Sequence, residues 1–138
     1  MNVKQLTVLT GSSARQVSGV ISHLSDEGVD IRAHCLVDNG NGHCKLRMIV
    51  SQPDRAVDVL QDKRIAAVVN DVVVVETDDK PGSLSRMLDA LRAEDIQIEY
   101  TYTAASERPG TAVMVFRFSD NVRAVDMLEK AGHTLISA

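Results

Sequence analysis

The two halves of this 138-residue chain carry one apolar pattern twice, and that repetition limits its fold more than any single motif. Val17, Val20, Ile21 and Leu24 recur 67 residues later as Leu84, Met87, Leu88 and Leu91. The spacing i, i+3, i+4, i+7 is one stripe along a helix. The same offset carries Val29 and Ile31 onto Ile96 and Ile98. Past Asn39-Gly40-Asn41-Gly42, a hairpin turn whose residues tolerate positive φ, the offset becomes 68. Arg55-Ala56-Val57-Asp58 then returns unchanged as Arg123-Ala124-Val125-Asp126, and Leu60 returns as Leu128. The extra residue falls in the hairpin loop, where insertions are tolerated. A chain repeating an element order in this way builds one unit twice.

The first half reads strand, helix, strand, strand, helix, strand. Lys4–Thr10 is the first strand, and Gly11-Ser12-Ser13 is a turn offering a hydroxyl cap to the helix that follows. Val29–Val37 alternates, with Val29, Ile31, Ala33, Cys35 and Val37 expected on one face. Cys44–Val50 returns, Pro53 opens a second helix and Ile65–Val69 closes the half. The fold class is therefore α+β: two ferredoxin-like βαββαβ units, residues 1–70 and 71–138. Each is expected to have an antiparallel four-stranded sheet with two helices on one face, because crossovers are right-handed. Val72–Val75 and Val113–Phe116 are apolar on both faces, so the other unit or another chain should cover the second face. That makes a homodimer the expected assembly.

Composition narrows the function. The formal net charge is −4 with no basic cluster, and aromatics are 3% with no Trp, so neither nucleic acid nor a membrane surface is an expected partner. The N-terminal segment lacks an apolar signal region, which points to the cytoplasm. Two cysteines do not make a disulfide framework. His34-Cys35 and His43-Cys44 flank the hairpin, but neighbouring residues on a strand point to opposite faces, so no metal site is expected. With the turn at Asn39–Gly42, Cys35 should lie opposite Leu46 and Cys44 opposite Val37, the two sulfurs sharing a face. No nucleophile elbow, phosphate loop or metal-ligand helix is present, so neither an enzyme nor a cofactor is expected.

One stretch carries candidate chemistry. Asp78 and Asp79 offer capping carboxylates, Pro81 suits a first helical position, and Gly82 permits close approach of a backbone or ligand. Leu84, Met87, Leu88 and Leu91 form the apolar stripe behind them. Open N–H groups at such a start can hold a carboxylate while a neighbouring acid holds an ammonium, which suits an α-amino acid. The same residues also serve a capped helix without a ligand. Tyr100 and Tyr102 share parity with Ile96 and Ile98, which sets their rings on the helix-packed face.

Asp79-Lys80-Pro81-Gly82-Ser83-Leu84 resembles the D-x-P-G-x-L turn of the ACT family. With the duplication and strand order, the whole chain resembles a free-standing tandem pair of ACT units. The resemblance implies a regulatory protein that binds a free amino acid or similar small metabolite where two units meet. It places Asp78, Asp79, Lys80, Pro81, Gly82, Ser83 and Leu84 at the site, with Ile98 and Tyr100 on a partner strand. A regulated protein partner is implied without being named. In the first unit the turn departs from the motif, with Ala14 for Pro81 and Arg15 for Gly82. A second site there would use Ser12, Ser13, Ala14 and Arg15 with Ile31 and Ala33; the alternative is a structural turn. A ligand-free interaction module and a small enzyme on the same scaffold remain open as rival readings.

Overall fold

The computed structural model describes residues 2–137. The chain divides into two compact units, one of Lys4–Asn70 and one that begins at Asp71 and also takes in Val3. In the first, β1 (Val3–Gly11), α1 (Ala14–Asp26), β2 (Ile31–Asp38), β3 (His43–Val50) and α2 (Pro53–Asp62) lead into β4 (Ala67–Asp78). The strand order is β2-β3-β1-β4, antiparallel at β1–β3 and β2–β3. The second unit continues along β4 into α3 (Ser83–Asp89), β5 (Ile98–Ala104), β6 (Thr111–Phe118), α4 (Asn121–Lys130) and β7 (Thr134–Ile136). Its order is β7-β4-β6-β5, antiparallel throughout. Two separate strands are expected around Val69 and Val72; the β-branched run joins them into one.

Alternation on the strands and the helical stripes meet in one core per unit. Leu6, Val8, Met48, Val50, Val20, Leu24, Ala56 and Leu60 form the first. Val73, Val75, Phe116, Phe118, Met87, Leu91, Ala124 and Leu128 form the second, each at the repeat-equivalent position. Both helices of each unit thus cover the same sheet face. On the opposite face Val72, Val74, Val113 and Val115 are also buried within the single chain, so these residues leave water without a second copy. The repeat extends to polar detail. Arg55 pairs with Glu27 at 2.9 Å and Arg123 with Glu94 at 2.6 Å. The Ser51 hydroxyl accepts from the Asp30 amide and the Ser119 hydroxyl from the Gln97 amide.

Each unit also carries a β-bulge at the same place, and this overturns part of the alternation. The register slips between Ile31 and Ala33 in β2 and between Ile98 and Tyr100 in β5. One extra residue, Arg32 or Glu99, reverses the facing of everything after it. Ile31 therefore faces the core, whereas Ala33 pairs with Ile49 and Cys35 with Arg47 on the opposite face. Likewise Tyr100 pairs with Arg117 and Tyr102 with Val115, away from the helices and not on the helix-packed face. Their rings stack at 6.5 Å. Glu99 pairs within the unit with Arg117 at 3.7 Å.

The hairpin closes one residue wider than expected, the Asn39 amide donating to the His43 carbonyl at 2.9 Å, and this corrects the cysteines. Cys44 lies opposite Asp38 rather than Val37, and Cys35 opposite Arg47 rather than Leu46, which puts the two thiols on opposite faces. Burial, and then the nearby Asp38 charge, push the Cys44 thiol up from its ordinary value. Cys35 is half-buried and Cys44 buried.

The two strand-to-helix turns differ, and the difference is local backbone chemistry. In the first unit Ser13 caps α1, its hydroxyl accepting from the Gln16 amide at 3.2 Å, and Ala14 begins the helix. At the equivalent place Pro81 does not begin α3, and Asp78 and Asp79 do not cap it; the helix starts two residues later, at Ser83. Gly82 has φ 89° and ψ −11°, and the Ser83 amide donates to the Lys80 carbonyl at 3.2 Å. Lys80-Pro81-Gly82-Ser83 is thus a type II turn, with Pro and Gly where that turn favours them. A residue at positive φ cannot belong to a right-handed helix, so the helix waits for it.

Gly82→Ala is expected to cost about 1–2 kcal/mol in a urea titration, the cost of holding a Cβ in a left-handed backbone. Gly19→Ala, on α1 with open space around it, should instead stabilise by about 0.5–1 kcal/mol. Equal responses would rule out the turn assignment. With a chromogenic disulfide reagent Cys35 should react in the native protein and Cys44 only on unfolding; simultaneous reaction would contradict the register.

Candidate functional site

The late start of α3 leaves space beside the turn. A cavity of ≈ 640 Å³ opens there, bounded by the end of β4, the turn, the first turns of α3 and the start of β6. Asp78, Asp79, Lys80, Gly82 and Ser83 line it from the turn, Leu84, Ser85, Leu88 and Asp89 from the helix, and Ala112 and Met114 from β6. The Asp79 amide donates to the Gly110 carbonyl at 2.9 Å, tying the turn to the β5–β6 loop. Lys80 Nζ lies 3.6 Å from Asp78 Oδ2, both groups largely exposed, a pair weak enough to be rearranged by a ligand. Ser83 is buried, and its hydroxyl accepts from Arg86 Nη2 at 3.2 Å.

Three carboxylates and one ammonium on the wall favour a ligand carrying a positive group. Leu84, Leu88 and Met114 supply an apolar surface for an aliphatic portion. Leu84 is 44% exposed: it belongs to the cavity and not to the core stripe expected of it. A cavity of this size, mostly apolar with a few polar groups, has the dimensions of a small-molecule site.

Of the residues that the sequence nominates, Asp78, Asp79, Lys80, Gly82, Ser83 and Leu84 come together on this wall. Pro81 shapes the turn without lining the cavity. Ile98 and Tyr100 are not part of its lining: Ile98 stands opposite Phe118, and the bulge turns Tyr100 to the other face beside Arg117. Sequence reasoning missed Ser85, Leu88, Asp89, Ala112 and Met114. Ser85 and Asp89 are one helical turn apart, a spacing that was visible. Ala112 and Met114 enter only through strand register, opposite Thr77 and Val75.

The first unit does not assemble the corresponding set. Ser13 is used as a helix cap, and Ser12, Ala14 and Arg15 are exposed at the surface. Ile31 and Ala33 face opposite ways across the bulge, so they cannot line one wall. Among the described residues no group of His, Cys, Asp or Glu is arranged to hold a metal ion, and no helix is long and apolar enough to cross a membrane.

Comparison with known proteins accords with this architecture. The chain is 31% identical to protein BT0572 from Bacteroides thetaiotaomicron, whose crystal structure superposes with a TM-score of 0.91 over 99% of this chain and 92% of that one. The ligand-free regulatory subunit of aspartate kinase from Thermus thermophilus has the same fold at 15% identity, with a TM-score of 0.67 covering 94% of this chain and 91% of its own. The corresponding subunit from Thermus flavus gives a TM-score of 0.62 at 15% identity, covering 95% and 94%. No curated protein matches the chain in sequence. The ACT domain pair family matches residues 1–135, essentially the whole duplicated pattern. This chain belongs to the ACT domain pair family.

Proposed function

We propose that this is a non-catalytic regulatory protein that binds a free amino acid, or a closely related small metabolite, in the cavity of its second unit. The observation that carries the reading is the cavity's wall, where the family's turn supplies Asp78, Asp79, Gly82 and Ser83 around a volume of ≈ 640 Å³. Asp79, with Asp78 beside it, takes the ammonium, and Lys80 and the backbone amides of the turn take the carboxylate. Leu84, Leu88 and Met114 take the side chain. The aspartate kinase regulatory subunits share the fold and support a regulatory role by analogy. Binding ties the Lys80–Ser83 turn to β6, and a partner protein reads the change. The ligand's effect is bounded by its differential affinity for the two states.

A thermal-shift screen of the twenty amino acids at millimolar concentration tests the reading. A ligand at ~100 times its Kd adds about 2.7 kcal/mol, which raises the midpoint by roughly 5–10 °C in a chain of this size. One or a few amino acids should give such a rise, and Asp79→Ala should remove it while leaving the ligand-free midpoint within a degree or so. A flat response from folded protein would sink the proposal in favour of an interaction module. The reading extends to a homodimer, in keeping with exposed Leu9, Val37 and Val68. A concentration-independent monomer in sedimentation would remove that extension.

A further inference from the structure

The turn Asn39-Gly40-Asn41-Gly42 joins β2 to β3 and holds the only two Asn-Gly pairs of the sequence. In such a pair the asparagine side chain is open to attack by the backbone that follows it, because glycine has no Cβ to shield its amide nitrogen. Both asparagines are exposed, and a Cβ added at Gly40 or Gly42 would meet nothing within 4 Å. Crowding therefore does not tell the two pairs apart. Hydrogen bonding does. The Gly40 amide donates to Asp38 Oδ1 at 2.9 Å, an Asx turn. The Asn39 amide donates to the His43 carbonyl at 2.9 Å. Among the described residues no acceptor takes the Gly42 amide. Asp38 is paired with Cys44 and His43 with Gly11, so both ends of the loop are anchored and Asn41-Gly42 lies between the anchors.

From this we infer that Asn41 is a site of spontaneous conversion to aspartate and isoaspartate, and that Asp38 protects Asn39 from the same reaction. The nucleophile is the Gly42 amide nitrogen after a solvent base takes its proton. That nitrogen bonds to Asn41 Cγ as the Cγ–Nδ2 bond breaks; Nδ2 takes up a proton and leaves as ammonia. Water then adds to either carbonyl of the cyclic imide and opens it, to aspartate or to isoaspartate. At Gly40 the same proton is held by a carboxylate, whose negative charge also opposes an anion forming on the nitrogen next to it. The product carries one more negative charge, in a chain whose formal net charge is −4. The isoaspartate branch also adds one carbon to the backbone, at a loop where extra length is tolerated. The second unit's equivalent loop, residues 105–110, contains no asparagine, so the change is confined to the first unit.

The test is a time course of the full chain in mildly alkaline buffer, read by tandem mass spectrometry of the peptide from Ala33 to Lys45, with the zero-time sample as baseline. A hydrogen bond to a charged group must be broken at Gly40 and not at Gly42, so Asn41 should convert about tenfold faster than Asn39. Equal rates, a faster Asn39, or no conversion at either position would overturn the proposal. Asp38→Ala should bring Asn39 up to the rate of Asn41; an unchanged Asn39 would overturn the protecting role of Asp38. In urea, where the turn is lost, the two should react alike in the wild-type chain. An Asn41 that stays faster there would assign the order to local sequence and overturn the structural account. Isoelectric focusing of Asn41→Gln gives an independent reading. Gln cannot close the same five-membered ring, so the acidic form that accumulates in wild type should be absent over that period; its undiminished appearance would place the reaction elsewhere and overturn the assignment.

Discussion

A β-strand shows its helices only every second side chain, and one inserted residue exchanges the two sets. That constraint governs most of what this chain presents to solvent and to a ligand. The bulge at Arg32 keeps Ile31 against the core while sending Cys35 to the opposite face; the bulge at Glu99 likewise turns Tyr100 away from the helices. Its occurrence at the same position in both units makes it part of the repeated pattern and not a local defect. The serine brackets at Ser51 and Ser119 sit beside it and fix where β2 and β5 begin. The paired arginines, Arg55 and Arg123, reach back to the loop after the first helix. Both pairs are exposed and so contribute little to stability. Their value is to hold register, since the buried apolar positions dominate the energy.

The sequence was most legible where a period was longest. Helical stripes and duplicated Arg-Ala-Val-Asp blocks identify the units, and the core positions follow, down to the equivalence of Leu60 and Leu128. Legibility failed where one residue outweighs a period. Parity counted through Val29–Val37 and from Ile96 through Tyr102 assumes unbroken strands and so puts Ala33, Cys35 and both tyrosines on the wrong face. Pro81 also fits two structures, the first turn of a helix or the second residue of a type II turn, and only Gly82 at positive φ decides between them. The turn side of the candidate site was readable because it is contiguous in sequence. Its far wall, Ala112 and Met114, was not, because it exists only through the pairing of β6 with β4.

The contrast between the two turns shows how little sequence is needed to move the start of a helix. Arg15 takes helical angles, so α1 begins at Ala14 and brings Gln16 over Gly11. Gly82 takes φ 89°, so α3 begins late and is only 7 residues long, against 13 for α1. A helix this short has little macrodipole to offer an anion. In the proposed reading, individual N–H groups and Lys80 take the carboxylate, while the stronger electrostatic bias of the wall, three carboxylates, acts on an ammonium. If the proposed reading holds, this wall favours an amine more firmly than an acid.

The exposure of those charges also sets the range of affinity. Asp78, Asp79 and Lys80 remain solvated in the absence of ligand, so each contact formed replaces one with water, and the net gain per hydrogen bond is about 0.5–1.5 kcal/mol. Four or five such contacts, with burial of an aliphatic side chain at roughly 1.5–3 kcal/mol, are offset by the loss of ligand freedom. Gains and cost are of similar size, so an open, solvated site of this kind binds weakly. A site of that strength is occupied or empty according to the ambient level of its ligand. Tighter binding would need the cleft to close over the ligand.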